Sequence, residues 1–471
     1  MVRRTRLLVL ATLAMINVIT LVGGIAVARM LPARLAALRI PSVAVGQVTV
    51  AGPVLTAGSS GPLPVGSRLD ATLSGPLSSA SLGPHVLASV IDPLTGQVLF
   101  SRGAAQLATP ASTAKLAAAA AALSVLGPGA RFTTRVVSPR PGDIILVGGG
   151  DPTLAVNAYP AGDYPQPATL ASLAALTAHA LKAAGRTSVQ VGFDTSLYTG
   201  PGFAPGWPAS YVSTGNVTQI VPLEVDQGRL NAAGNPEDSD DPGNFQPRAV
   251  HPAQMAANAF AVLLSADGIK VSGPPSQQTA PSAASVLASV SSPPLSAMIE
   301  QMLAESNNVI AENVARHVAL ATGYPATFAG GAAAVTATLR RLGVTTGFHM
   351  VDGSGLSPDD AVAPATLTSL LRVVVAQPRL RAMLAGLPVA GFSGTLASGE
   401  SAFGGIDGAA LGMVRAKTGN LASVTTLAGL VYDKDGTLLA FAFMADQVIS
   451  LDGAAGAIDQ AAAELAGCGC R

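Results

Sequence analysis

The chain has 471 residues, with 27 Lys and Arg against 27 Asp and Glu, so its formal net charge is zero. It lacks the basic excess of a nucleic-acid binder, and it is longer than one ordinary domain needs. Hydrophobic residues make up 49% and charged residues 11%, against a usual charged share of about 25%, so there is apolar material for a large core.

Arg3, Arg4 and Arg6 precede an uncharged run of 22 residues, Leu7 to Ala28, closed by Arg29. At about 1.5 Å per residue such a run spans a bilayer core of roughly 30 Å. Positive charge ahead of it holds the N-terminus inside, so the chain beyond Ala28 is expected outside the cytoplasm. Residues 1–28 read as a signal anchor or, because Ala26-Val27-Ala28 resembles a cleavage site, as a signal peptide whose removal leaves a secreted wall protein. The length of the run and Arg29 favour an anchor.

Residues 29–85 are rich in Pro, Gly and Ser and read as an extended spacer with a short helix near Asp70. Order is expected from Val86. Val86–Ile91 and Gln97–Phe100 read as strands, followed by an Ala-rich helix from Thr113 to Leu126 that Gly127, Pro128 and Gly129 stop. Strands are expected at Arg131–Val137 and Asp143–Val147, and residues 86–153 then form the first part of a core domain. Residues 154–295 read as an inserted domain, with helices at Thr169–Ala184 and Pro252–Ala266 and strands at Ser188–Phe193 and Thr218–Val225. The Ser/Ala/Pro stretch Ser276–Ser292 leads back out. Residues 296–471 complete the core. Leu295–Ala304, Val309–Thr322 and Gly331–Leu342 are helical, Val414–Lys417, Thr425–Tyr432 and Leu438–Ala445 are strands, and Asp452–Ala466 is a last helix. Asp433–Gly436 is a hairpin turn. Strands at both ends with helices between predict an α+β core whose sheet joins the N- and C-terminal segments.

Two cysteines, Cys468 and Cys470, are separated by one residue, which leaves no ordinary disulfide geometry without strain; they read as a tail after the last helix. The five histidines show no ligand spacing, and neither a metal nor a cofactor is expected.

Three short motifs carry chemistry. Ser112-Thr113-Ala114-Lys115 opens the Ala-rich helix, and a spacing of three puts Ser and Lys one turn apart on one face. The helix N-terminus favours developing negative charge near Ser112, and an apolar setting lowers a lysine pKa towards that of a usable base. Ser306-Asn307-Asn308 lies between helices, where it also suits a helix cap. Lys417-Thr418-Gly419 lies on a strand, and its Gly permits close backbone approach by a ligand. The chain has only five lysines, and two of them fall in these motifs. Each motif alone is weak. Their order, on a helix start, an interhelix loop and a strand, matches the signature of penicillin-binding proteins and serine β-lactamases.

With Gly148–Leu154, Ser306–Glu312 and Asp352–Ser357, the chain resembles the D-alanyl-D-alanine carboxypeptidase/endopeptidase family, the class-C low-molecular-mass penicillin-binding proteins (penicillin-binding protein 4 type), over residues 86–466. The separation of 194 positions from Ser112 to Ser306 suits the large insertion of that family. The resemblance implies a transpeptidase-like α+β domain, an antiparallel sheet with helices, carrying an inserted domain. It implies hydrolysis of D-Ala-D-Ala ends and cross-links of peptidoglycan peptide stems, with β-lactams as inhibitors. Ser112 would be the acylated nucleophile, Lys115 the general base and Ser306 a proton relay to the leaving D-alanine. Asn308 would hold the substrate amide, Lys417, Thr418 and Gly419 would bind the terminal carboxylate, and the backbone N–H groups of Ser112 and Asn420 would form an oxyanion hole. Asp352–Ser357 reads as a structural turn. No motif lies in the insertion, which is expected to shape access rather than do chemistry. The alternatives are a serine β-lactamase and a catalytically weak wall- or β-lactam-binding module.

Overall fold

The computed structural model describes residues 61–237, 247–398, 401–405 and 408–470. The apolar run Leu7–Ala28 and the spacer up to residue 60 lie outside the described residues. Among the described residues, no helix is long and apolar enough to cross a membrane.

Order starts earlier than the composition suggests. Helix α1 (Gly66–Ser74) and two 3-10 turns, Pro76–Ser78 and Ala80–Leu82, precede the first strand. Leu69, Leu73 and Leu77 recur every four residues and, with Leu82, are buried. Residues 61–85 are therefore part of the fold, which corrects the spacer boundary at 85. A leucine stripe in a Pro/Gly/Ser-rich background shows its purpose only when it meets the far end of the chain.

β1 (Val86–Ile91) and β2 (Val98–Arg102) lead to α2 (Lys115–Val125), β3 (Thr133–Arg140) and β4 (Asp143–Val147). Then come α3 (Leu170–Ala183), β5 (Ser188–Asp194), α4 (Ser210–Ser213), α5 (Pro252–Ala266), β6 (Lys270–Val271), β7 (Ser276–Gln277) and β8 (Ser285–Ser291). Helices α6 (Leu295–Ala304), α7 (Asn308–Thr322) and α8 (Phe328–Arg341) come next, with β9 (Phe348–His349), β10 (Ala361–Val362), α9 (Pro364–Ala376) and α10 (Arg381–Gly386) after them. The chain closes on β11 (Val414–Leu421), β12 (Val424–Tyr432), β13 (Leu438–Ala445) and α11 (Leu451–Gly467).

The first sheet is antiparallel, in the order β11-β12-β13-β1-β2. Val86 pairs with Ala445, so the sheet joins the two ends of the chain as expected. β12 and β13 are apolar almost throughout because both faces are covered. On one side Ala428, Ala442 and Met444 meet Leu116, Met298, Ile310 and Leu367 of the helical layer. On the other, Leu427, Phe441 and Phe443 meet Leu69 and Leu73 of α1 and Ile458 of α11. α2 runs through the middle of the helical layer with Ala117–Ala122 all buried. A helix that is apolar on every side belongs in such a place.

The second sheet has the order β6-β5-β4-β3-β8, with β7 also on β5. α3 and α5 pack on it through Leu170, Leu173, Phe260 and Leu264 against Val136, Ile144 and Leu146. β3 and β4 thus belong with the insertion rather than the core, and the sheet of the inserted part begins at Thr133, not after 153. Its last strand, β8, is the Ser/Ala/Pro stretch expected as an exit. Thr218–Val225 forms no strand; Pro222 lacks the N–H a ladder needs. This segment instead joins a small lobe in which Tyr198, Val217 and Ile220 pack on Val309, Phe328 and Leu356. That packing seats the insertion over the start of α7. Cys468 and Cys470 stand side by side at the end of the chain's last helix. Their Cα atoms lie 5.1 Å apart, inside the span a disulfide bridges.

Candidate active site

Ser112 lies in a 3-10 turn, Ala111–Ala114, that runs directly into α2. In such a turn residues i and i+3 eclipse, so Lys115 stands over Ser112 and its Nζ lies 2.7 Å from the Ser112 Oγ. The same amine donates to Asn308 Oδ1 at 2.7 Å and to the Ser354 carbonyl at 2.8 Å. Asn308 is fixed in orientation because its Nδ2 donates to the Asn216 carbonyl at 2.9 Å. Two of the three partners of Lys115 can therefore only accept. A neutral amine has two N–H donors and one lone pair. With both N–H groups on Asn308 and Ser354, the lone pair faces the Ser112 hydroxyl.

Lys115 is fully buried, and burial lowers its pKa to about 7 against the raising fields of Asp352, Glu312 and Asp360. A neutral fraction exists at ordinary pH, as a base requires.

Ser306 sits at the tight bend before α7 with φ of 59°. Among the described residues the other non-glycine positive φ values are at Ala111, Asp226 and Gln227. Such conformations cost about 1–3 kcal/mol each, and three of the four have a direct link to the motifs. Ala111 precedes Ser112, Ser306 is itself a motif residue, and Gln227 accepts from the Asn307 Nδ2 at 2.8 Å. Asn307 also caps α7, its Oδ1 accepting from Ile310 N at 3.1 Å.

Lys417 and Gly419 are buried on β11, the edge strand facing Ser112. Gly419 is required by the protein's own backbone: a Cβ there would stand 2.8 Å from the Pro110 carbonyl and 2.9 Å from Ser112 N. The Lys417 Nζ donates to the Thr418 carbonyl at 2.9 Å, behind the cleft wall. Burial, and then the neighbouring Lys115, push its pKa well down. The Thr418 hydroxyl pairs with that of Thr395 at 2.8 Å, and Asn420 Oδ1 accepts from Thr425 Oγ1 at 3.1 Å.

Ser112, Ser306, Asn308, Thr418 and Asn420 line one cleft of about 1190 Å³. The structure thus brings the three motifs together, with Lys115 and Lys417 set just behind the surface. Arg229 and Arg248 of the insertion line the same cleft. Burial, followed by the charge of Arg229, lowers the Arg248 pKa to about 9. These cationic walls suit a ligand that ends in a carboxylate.

Reading the sequence missed the contribution of the insertion and of the Asp352 turn. Asn216, Gln227 and Trp207, all in the insertion, touch Asn308, Asn307 and Asp352 respectively. An insertion that only shapes access would not hold motif residues, and that expectation is corrected. Asp352 and Glu312 hold the peptide whose carbonyl receives Lys115. The signal available was a pair of acids inside two of the motifs, read there as turn and helix residues.

Comparison with known proteins agrees with this geometry. The model of the D-Ala-D-Ala carboxypeptidase 3 (S13) family matches residues 69–244 and 234–466. The chain is 36% identical over 422 residues to carboxypeptidase DacB of Mycolicibacterium smegmatis, covering 87% of this chain and 86% of that protein. It is 30% identical over 426 residues to the D-alanyl-D-alanine carboxypeptidase of an Actinomadura species, covering 79% of each. In fold it resembles penicillin binding protein 4 of Haemophilus influenzae, with a TM-score of 0.67 at 22% identity over 85% of this chain and 98% of that one. With three motifs meeting in one cleft and a family match along most of its length, the chain belongs to the D-Ala-D-Ala carboxypeptidase 3 (S13) family.

Proposed function

We propose that this protein is a serine-type D-Ala-D-Ala carboxypeptidase that works through an acyl-enzyme on Ser112 and binds β-lactams in the same cleft. The observation that carries this reading is the Lys115 amine, held 2.7 Å from Ser112 Oγ while Asn308 and Ser354 offer acceptors for its two N–H groups. Neutral Lys115 takes the Ser112 proton as Oγ bonds to the penultimate D-alanine carbonyl carbon. The N–H groups of Ser112 and Asn420 take the oxyanion. As the C–N bond breaks, the proton returns through Ser306 to the leaving D-alanine nitrogen. Thr418 and the field of Lys417 hold the terminal carboxylate. Water then attacks the acyl carbon and frees Ser112, with Lys115 again accepting a proton. A β-lactam undergoes the same first step but leaves no fragment whose departure opens the site to water.

The cleft is large and also lined by Arg229 and Arg248, which gives room for a branched stem and favours some endopeptidase action on cross-links. The enzyme acts outside the cytoplasm, and the run Leu7–Ala28 anchors it there. N-terminal sequencing of protein from cell fractions tests the anchor: a soluble chain starting at Arg29 would rule it out.

The catalytic assignment is tested by mass spectrometry of the protein mixed with penicillin and, separately, with a D-Ala-D-Ala peptide. A penicilloyl adduct on the Ser112 peptide and release of free D-alanine are expected. Ser112→Ala should show neither. An adduct on another serine would overturn the nucleophile, and an adduct without D-alanine release would leave only a β-lactam-binding module or a β-lactamase. Lys115→Arg should stay unacylated from neutral pH to about 10, because a guanidinium does not deprotonate there.

A further inference from the structure

Asp352-Gly353-Ser354-Gly355-Leu356-Ser357 has the composition of a plain tight turn, yet two buried carboxyl groups are committed to it. Asp352 Oδ1 accepts from Ser354 N at 3.0 Å and Gly355 N at 2.7 Å. Its Oδ2 accepts from Ser357 N at 2.7 Å and from Trp207 Nε1, in the insertion, at 2.8 Å. Glu312, on α7, reaches the same peptide from the other side. Its Oε1 accepts from Ser354 N at 2.7 Å, and its Oε2 from Gly353 N at 3.0 Å. The carbonyl of that doubly held Ser354 accepts from Lys115 Nζ at 2.8 Å.

Burying a carboxylate costs several kcal/mol unless a partner offsets it. A turn needs an acceptor for its N–H groups, and a neutral Asn serves for that. Two acids on one peptide go beyond that need. The cation they jointly face is Lys115, and both carboxyl groups raise its proton affinity against its burial. The turn also packs on the Ser112 segment, since a Cβ at Gly355 would collide with the Ala111 carbonyl. It therefore registers nucleophile and base against each other.

We infer that Asp352 and Glu312 are positioning residues: through the Ser354 carbonyl they hold the Lys115 amine against Ser112 and keep it basic. The inference rests on the reading of Lys115 as the base. Other charged groups in this region are accounted for. Asp360 Oδ1 accepts from Val351 N and Asp352 N while its Oδ2 is buried without a hydrogen-bond partner. Burial, then Asp352, raises its pKa to about 9, and of the three acids it has the smallest raising effect on Lys115. Lys417 faces Lys115 from β11, and burial followed by the charge of Lys115 pushes its own pKa well down. Burial, then Asp352, raises the Glu312 pKa to about 8, while the Ser354 and Gly353 hydrogen bonds and Arg316 favour its ionised form, so Glu312 is only partly ionised near neutrality and contributes the weaker field.

The test is the pH dependence of penicillin acylation of Ser112 in Asp352→Asn, Glu312→Gln and Glu312→Asp. Asp352→Asn should move the rising limb to lower pH by about one unit and Glu312→Gln should move it less, and both should lower the plateau roughly tenfold or more. Glu312→Asp keeps the charge, so its limb should stay in place while its rate falls. A folded Asn variant whose limb stays at the wild-type pH, however slow, or a folded Gln variant with an unmoved limb and the wild-type plateau, would overturn the inference. Glu312 lies on a helix and Asp352 in a turn, so loss of one variant to misfolding leaves the other. A second readout needs no acylation. With five lysines in the chain, the lysine ε-carbon NMR signal that Lys115→Arg abolishes should titrate near neutrality in the wild type and about one unit lower in Asp352→Asn; an unmoved signal would overturn the inference. The failures are separable: no adduct on Ser112, or an active Lys115→Arg, sinks the base itself, whereas a normal adduct with an unmoved limb sinks only the positioning.

Discussion

Lys115 does three things with one amine. It is buried, it faces Ser112, and its remaining donors are tied to Asn308 and Ser354. A site this tight depends on how closely β11 approaches the start of α2, and Gly419 sets that distance. Gly419→Ala would place a methyl group 2.9 Å from Ser112 N and 2.8 Å from the Pro110 carbonyl. The strand must then move outward, and a displacement of about 1 Å at a reacting group costs on the order of 100-fold in rate. We expect penicillin acylation to fall by about that factor in stopped-flow measurements, with a stability loss of about 1–3 kcal/mol from the overpacking that leaves the protein folded. A variant acylated at the wild-type rate would show that the contact does not position Ser112.

At the scale of elements, α7 links the two sheets. Its first residue, Asn308, orients Lys115, and farther along His317 stacks on Phe132 with ring centroids 3.5 Å apart. His317 also bonds to the Gly150 carbonyl through Nε2 at 3.0 Å. Burial lowers the His317 pKa to about 4. Nearby Asp151 is raised to about 6 by its own burial, and its Oδ2 has no hydrogen-bond partner. Between about pH 6.5 and 4 the unfolded chain protonates His317 and the folded one does not, so this group makes stability fall as pH falls. Asp151 has the opposite sign: the folded state holds its proton between about pH 6 and 4 while the unfolded state releases it, so stability rises as pH falls. Each effect is on the order of 3 kcal/mol when complete. In thermal melts over this range, His317→Gln should therefore lose stability less steeply with acid than the wild type, and Asp151→Asn more steeply. Parallel curves for all three proteins would show that neither group titrates as described.

Over the whole molecule, both ends of the ordered chain meet on one face of the first sheet. Val65 N donates to the Cys470 carbonyl at 2.7 Å, and α1 packs against α11 under β12 and β13. Burying Leu69, Leu73, Leu77 and Leu82 contributes about 1.5–3 kcal/mol each, which together rivals the total stability of a typical domain, about 5–15 kcal/mol. A chain cut to begin at Val86 should fail to yield soluble, penicillin-reactive protein, whereas one cut to begin at Gly61 should fold. Within the fold, Leu73→Ala should cost about 2–5 kcal/mol in urea unfolding. The inserted part has a natural joint, where Ser292 N donates to the Phe132 carbonyl at 2.9 Å. Excision at that joint removes Asn216, Gln227 and Trp207 from Asn308, Asn307 and Asp352. Penicillin acylation itself should then fall steeply, not only activity on cross-linked wall. A folded excised protein acylated as fast as the intact one would restore the view of the insertion as a passive wall.

The sequence by itself determined the three motifs, the helix and strands that carry them, and the sheet that closes the chain on itself. These were legible because each is local: a Ser and a Lys one turn apart, a capping Asn, and apolar runs long enough to be strands buried on both faces. The family resemblance stood on the same short segments. Only the tertiary structure decided which sheet β3 and β4 join, because a strand of that composition pairs equally well with either and its partner lies far along the chain. The spacer boundary failed for the same reason, since the leucine stripe of α1 has its partner in α11. The role of the Asp352 turn was hidden because an acid in a Gly-rich turn has a sufficient local explanation. The hold of Asn216 on Asn308 was hidden more deeply. It acts through a backbone carbonyl, a group every residue carries, so its side chain leaves no mark of the contact.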